Sequence, residues 1–374
     1  MRVLKNDYAQ LQKSYAPNPA KKMTKNPLFG YVVASIALIV IQLLYMSGLI
    51  PLNVSQAIMQ TMIYVVAGMG VGILLWLAGL MSFATGAFIG LGTYLAAYIL
   101  KAYMVPFVLI LAIVAVVGVV AGVVVGFVSL RVKGIGLLIV TLGLATVMST
   151  MYALPNEFTG GPTGVSKVPF PELAMFLETN RDTMYFVILA VMFILIVITL
   201  NIINSPMGRA MLAMASSESL AQAMGIRLLK YRVLAFVIAT VYALLAGVLY
   251  VSYMQSSIYA TWSSSLAMNI LIAVCLGGTA SPSGVMIGSF VMFTINSAFL
   301  QNIPFFQTYP QASLFFNGIL IIIIIAKYPG GLVRLLGSIK NGVKRLYVKG
   351  RTYKYGPEEQ KRDPAGGEQA GQAP

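Results

Sequence analysis

Polar and apolar residues segregate along this chain into long blocks. No Asp, Glu, Lys or Arg occurs across residues 26–100, and charge-free runs follow at 102–130, 134–156, 183–208 and 233–326. A bilayer core is crossed by about 20 predominantly apolar helical residues. The runs of 29, 23 and 26 residues therefore hold one span each. Parity decides the other two. The positive-inside rule puts the basic amino terminus in the cytoplasm, together with Arg131 and Lys133. Lys101 then lies outside, and the 75-residue first run crosses three times. The run at 183–208 returns to an inner loop bearing Arg209, Arg227, Lys230 and Arg232. The last run, 94 residues with inner charges at both ends, fits four crossings. The pattern predicts an all-α integral membrane protein with about ten transmembrane helices (about 8–11).

Composition sharpens this. The 374 residues are 59% hydrophobic and 9% charged, with mean hydropathy +0.86. An ordinary soluble domain is about 45–50% apolar and about 25% charged. There is one cysteine, Cys275, and no histidine. That excludes an internal disulfide, a thiolate metal cluster and the commonest general base. No catalytic or metal site is expected. The net charge of +15 reflects basic clusters at the two ends: six residues between Arg2 and Lys25, and ten between Lys327 and Arg362. Such clusters beside spans meet anionic lipid headgroups, not nucleic acid. Residues 1–26 read as a cytoplasmic tail, because the apolar stretch at 31–50 is too long for a cleavable signal. Residues 27–333 form a polytopic transmembrane domain. Residues 334–374 form a basic cytoplasmic tail, disordered over most of its length.

Glycines punctuate the spans. Gly118, Gly122 and Gly126 make two consecutive GxxxG steps, and Gly86 with Gly90 and Gly284 with Gly288 repeat the spacing. This pattern lets helix backbones approach closely. Two segments place hydroxyls among glycines, one in each half of the chain: residues 79–94 with Ser82, Thr85 and Gly86, and 277–288 with Gly277, Gly278 and Ser281. Interrupted helices in corresponding halves point to inverted repeats and a transport path. Tight packing around a turn is the other reading. No carboxylate, Lys or Arg lies in a span interior, which argues against a proton-coupled carrier. A sodium-coupled carrier survives, since backbone carbonyls can hold that ion.

The inner loop at 204–231 stands out. Ser205 before Pro206 is an N-cap followed by proline at the first helical position. Met207, Met211 and Met214 give the helix one apolar face. A second helix runs from about Glu218 to Met224 and stops at Gly225 in a left-handed cap. Either this pair lies on the bilayer surface or it docks a cytoplasmic partner. The chain has no GxxxxGK[ST] phosphate loop, so any ATP hydrolysis belongs to another subunit.

Here the residues meet a family. The stretch from Ser205 to Ile226 resembles the coupling loop of branched-chain amino acid ABC importer permeases of the LivM/LivH type, with its "GRAL-A-…-E-AA-A-GI" pattern. Arg209, Glu218, Ala221, Ala223 and Gly225 fall on it. Thr141-Leu-Gly, Thr159-Gly-Gly-Pro-Thr-Gly164, the 277–288 segment and Tyr328-Pro-Gly-Gly-Leu332 resemble further signatures of that family, and the likeness covers most of residues 60–335. Two departures stand out: the first broken segment lacks the family's histidine, and Thr163 replaces an asparagine.

The resemblance implies a multi-pass subunit of a bacterial cytoplasmic membrane importer with both termini inside. Its partners would be a second permease, two ATP-binding subunits and an extracytoplasmic solute-binding protein. ATP and magnesium would be used by the partners, with no cofactor on this chain. Arg209, Glu218, Ala221, Ala223 and Gly225 would couple to the ATPase. Ser82, Thr85, Gly86, Thr141, Thr159, Gly160, Gly161, Pro162, Thr163, Gly164, Gly277, Gly278 and Ser281 would be candidates for the substrate path. The cargo implied is a branched-chain amino acid, with urea or another small neutral solute as the alternative.

Overall fold

The computed structural model describes residues 27–298 except 104, 129–131, 133, 172–179 and 279–280, together with Gly318 and Leu332. The two tails, Arg131, Lys133, the 328–331 motif and the crossing expected before it lie outside the described residues. Helix α1 is Pro27–Met46 and α2 is Leu52–Gly72, which continues as a π-helical turn, Ile73–Leu77. After a break come α3 (Thr85–Ala102), α4 (Phe107–Val128), α5 (Ile135–Ala153) and α6 (Arg181–Asn204). Two short helices follow, α7 (Pro206–Ser216) and α8 (Glu218–Ala223), then the long α9 (Leu228–Met254). The described chain ends with α10 (Ser264–Gly277), α11 (Pro282–Ser289), a π-helical turn at Phe290–Thr294 and α12 (Ile295–Ala298).

The first charge-free run, expected to cross three times, holds the helices α1, α2 and α3, of which α1 and α2 are long and apolar enough to span a membrane. Spans can be counted over the described residues, which leave out 299–317 and 319–331. Six described helices are long and apolar enough to cross a membrane: α1, α2 with its π turn, α4, α5, α6 and α9. The α10–α11 pair, bent by 119°, makes a seventh at most. The reason is length. The 14 residues of α10 rise about 21 Å, short of the roughly 30 Å core. The described part of its charge-free run beyond α9 is thus a bent pair and not two full crossings.

Glycine sets how the helices meet. A β-carbon on Gly118, Gly122 or Gly126 would lie 3.0, 2.5 and 2.9 Å from the Cα of Val241, Val237 and Val233. The falling partner numbers show that α4 and α9 run antiparallel along the whole GxxxG seam. Gly92 and Gly247 do the same for α3 and α9, where Thr93 donates a hydrogen bond to the Gly247 carbonyl at 3.2 Å. In the bent pair, Gly277 and Gly288 abut the carbonyls of Gly284 and Ala273. Each of these glycines, Gly277 included, sits where a β-carbon would meet neighbouring backbone. Helix α2 is the centre of the fold, 89% of its apolar window being buried, whereas the outward face of α1 is mostly exposed.

Candidate functional site

The loop between α6 and α9 is built from local chemistry. Ser205 Oγ accepts the Gly208 N–H at 3.1 Å and Ser217 Oγ accepts that of Leu220 at 3.4 Å, so each short helix has its N-cap. Gly225 adopts φ +79°. Its N–H bonds the Gln222 carbonyl and the Ile226 N–H bonds that of Ala221, both at 2.9 Å, which together form a Schellman cap. Nothing lies within 4 Å of a β-carbon at Gly225, so glycine is needed there for its backbone angle and not for space. Met211 and Met214 are buried as expected, fixing α7 to the membrane domain.

The proposed docking residues divide. Glu218 forms an ion pair with Arg232 of α9, whose side chain is only 6% exposed. Its partner is thus within the chain, and Arg232 is a residue that sequence reasoning passed over as one more inner-loop charge. Ala221 faces inward at 2% exposure while Ala223 is exposed. Arg209 donates to the Asn204 carbonyl at 3.0 Å and is otherwise exposed. What the loop presents outward is apolar: Leu212, Leu220 and Met224 are 52%, 64% and 77% exposed. A helical-periodicity count of the loop, extended to the residues opposite Met211 and Ala221, would have found them.

Above the loop lies the first helix break. Gly79 follows the π turn with φ +65° and packs against Ala215 of α7. Ser82 and Thr85 are buried, and Ser82 Oγ accepts the Ala84 N–H at 3.2 Å. Thr141, fifty-eight residues on, receives the Phe83 N–H at 3.1 Å. The unwound backbone thus finds its partner in the "TLG" threonine, and the structure unites Ser82, Thr85, Gly86 and Thr141 around one break. A β-carbon at Gly86 would lie 2.8 Å from the Ser263 carbonyl oxygen, which closes the break against the start of α10.

The 159–164 motif is elsewhere, at the opposite end of the helices. Gly160, Gly161 and Gly164 have φ of +69°, +59° and +70°. Thr159 is buried, bonding Asn156 Oδ1 through its N–H at 2.7 Å and its hydroxyl at 2.9 Å. Val165 pairs antiparallel with Ser257, and Trp262 Nε1–H donates to Ser257 Oγ at 2.8 Å. Only Pro162 and Thr163 of the six are exposed. Five features of a packed turn and one small exposed tip describe a brace between the α5–α6 connection and the α9–α10 connection. Gly161→Val is accordingly expected to abolish accumulation of folded protein, since its β-carbon would meet Pro155 Cα at 2.8 Å in a left-handed backbone. Gel filtration in detergent checks it; a monodisperse, uptake-defective variant would instead assign the motif to the path.

The second break, Gly278 (φ +67°) to Ser281, is a third separate place. Ser281 Oγ lies 2.8 Å from Ser283 Oγ, and the Ser283 N–H donates to the Tyr31 hydroxyl of α1 at 3.0 Å. A π turn runs directly into the first break, and another follows α11 beyond the second. Such turns mark functional sites often. Among the described residues no group of His, Cys, Asp and Glu could hold a metal ion.

Comparison with known proteins agrees with the loop. Residues 53–325 match the family model described as branched-chain amino acid transport system / permease component. The chain is 27% identical to the high-affinity branched-chain amino acid transport system permease protein LivM of Escherichia coli K12, over 76% of this chain and 72% of that protein. It is 26% identical to LivM of Salmonella typhimurium, over 73% and 68%. A probable LivM of Methanocaldococcus jannaschii is 25% identical over 55% of this chain and 61% of its own length. No solved structure matches the chain. With glycine-seamed membrane helices, a doubly capped loop and a family match across most of its length, this chain belongs to the branched-chain amino acid transport permease family.

Proposed function

We propose that this chain is the membrane-spanning subunit of an ATP-driven importer that carries branched-chain amino acids across the bacterial cytoplasmic membrane. The observation that supports this most is the loop's outward face. Leu212, Leu220 and Met224 stand exposed on two rigidly capped helices flanked by basic residues. An apolar patch held in a fixed shape at a polar surface suits a protein partner better than water. The partner is a cytoplasmic ATP-binding subunit, which supplies the hydrolysis with its own ATP and magnesium. A second permease and an extracytoplasmic binding protein complete the assembly. The loop and both termini face the cytoplasm, in keeping with the distribution of basic residues.

The cargo fits the spans. The described helices carry charged side chains only near their ends, so the path offers hydroxyls, helix N-termini and backbone groups. A zwitterion with an aliphatic side chain needs no more, since N–H groups meet its carboxylate and carbonyls its ammonium. Leu220→Asp with Met224→Asp is expected to reduce ATPase co-purification at least tenfold without changing permease insertion. Wild-type ATPase retention by that double variant, or leucine uptake driven by sodium without ATP, would overturn the reading.

A further inference from the structure

We propose that the contact between Ala215 and Gly79 is where motion of the cytoplasmic loop passes into the translocation path, Ala215 and Gly79 acting as positioning residues. The inference rests on the reading of the loop as an ATPase-docking element and asks what that element pushes. Three observations carry it.

First, the contact is made on backbone. A β-carbon at Gly79 would lie 3.2 Å from Ala215 Cβ and 3.4 Å from its Cα. No flexible side chain stands between α7 and the break, so a displacement of α7 cannot be absorbed by a rotamer change. Second, the loop is tied together as one body. A single residue, Ser217, joins α7 to α8, and the Glu218–Arg232 pair ties α8 to α9. Buried Met211 and Met214 hold α7 from beneath. Third, what lies beyond Gly79 is the compliant part of an otherwise rigid core. The π turn ends with a long bond, Ala78 N–H to the Ile73 carbonyl at 3.4 Å, and a wider loop closed by Leu80 N–H to the Leu74 carbonyl at 3.0 Å. Past it, the chain is unwound until Thr85, held at Phe83 by Thr141. Helix α3 is in turn fixed by Tyr152, whose hydroxyl donates to the Ala87 carbonyl at 2.8 Å. Force applied at Gly79 therefore falls on the six residues 79–84, between a buried α2 and an anchored α3. Those residues carry Ser82 and adjoin Thr85.

The contact can be locked and released. The β-carbon separation is close to the roughly 3.5–4.5 Å that a disulfide bridges. Gly79→Cys with Ala215→Cys, in a Cys275→Ser background, should cross-link on oxidation of membrane vesicles holding the assembled transporter. Locking is expected to cut ATP-driven leucine uptake at least tenfold while the ATPase still co-purifies, and dithiothreitol should restore uptake. Failure to cross-link, or a locked pair that transports like its reduced form, would overturn the proposal. Ala215→Leu is a second variant that leaves Gly79 in place. It should retain the ATPase and lose uptake at least tenfold, and wild-type uptake would count against the contact. Failure of the docking reading would look different: the unmodified chain would retain no ATPase, whereas failure of the relay alone leaves the ATPase bound and uptake indifferent to the lock.

Discussion

Glu218→Ala is expected to destabilise the folded permease far more than Arg232→Met, although both break the same ion pair. The asymmetry follows from burial. The Arg232 side chain is 6% exposed and that of Glu218 is 39% exposed. Removing the carboxylate strands a buried guanidinium, and breaking a buried pair from one side costs about 3–5 kcal/mol. Removing the guanidinium leaves a carboxylate that water reaches, a loss nearer the roughly 0–1 kcal/mol of a surface pair. Methionine would also keep much of the arginine stem's packing. The double variant Glu218→Ala with Arg232→Met should therefore recover most of the loss. Thermal survival of the monodisperse peak in detergent measures all three. Equal losses in the two single variants, or no recovery in the double, would remove the pair from the account of the loop.

The seam between α4 and α9 gives the second large effect. Gly122→Ala adds one methyl, but that methyl falls 2.5 Å from Val237 Cα, where no side chain can turn aside. The helices must part, and overpacking of this kind costs about 1–3 kcal/mol and occasionally more. Gly143→Ala is the control. It is also a helical glycine in a span, yet nothing lies within 4 Å of its added carbon, so helix propensity favours alanine there by roughly 1 kcal/mol. Melting of the two variants in detergent should move in opposite directions. If both fall together, glycine is serving helix flexibility in this fold and not close approach.

Arg232 shows where sequence reasoning stopped. Fourteen residues separate it from Glu218, beyond the reach of any i, i+4 rule, and the intervening cap and turn decide that they meet. Thr141 and Phe83 are further apart still. Their pairing depends on α3 and α5 packing side by side, which hydropathy does not encode. The bend between α10 and α11 was illegible for a related reason. A charge-free run measures how much chain can sit in lipid, whereas the glycine contacts between α10 and α11 fold part of that chain into a hairpin.

By itself the sequence determined the solvent, the helical class, the three helices of the first run, the capped loop and the GxxxG seam. These rest on interactions within one turn of helix or on composition summed over a span, so they are written locally. The tertiary structure decided what each helix face meets. It put Ala221 beneath the loop and Leu220 with Met224 on top, and it made the 159–164 motif a brace between two distant connections. It also set Ala215 against Gly79. Facing direction depends on what packs opposite, and for these residues the neighbour comes from another helix, joined only after the membrane core has closed.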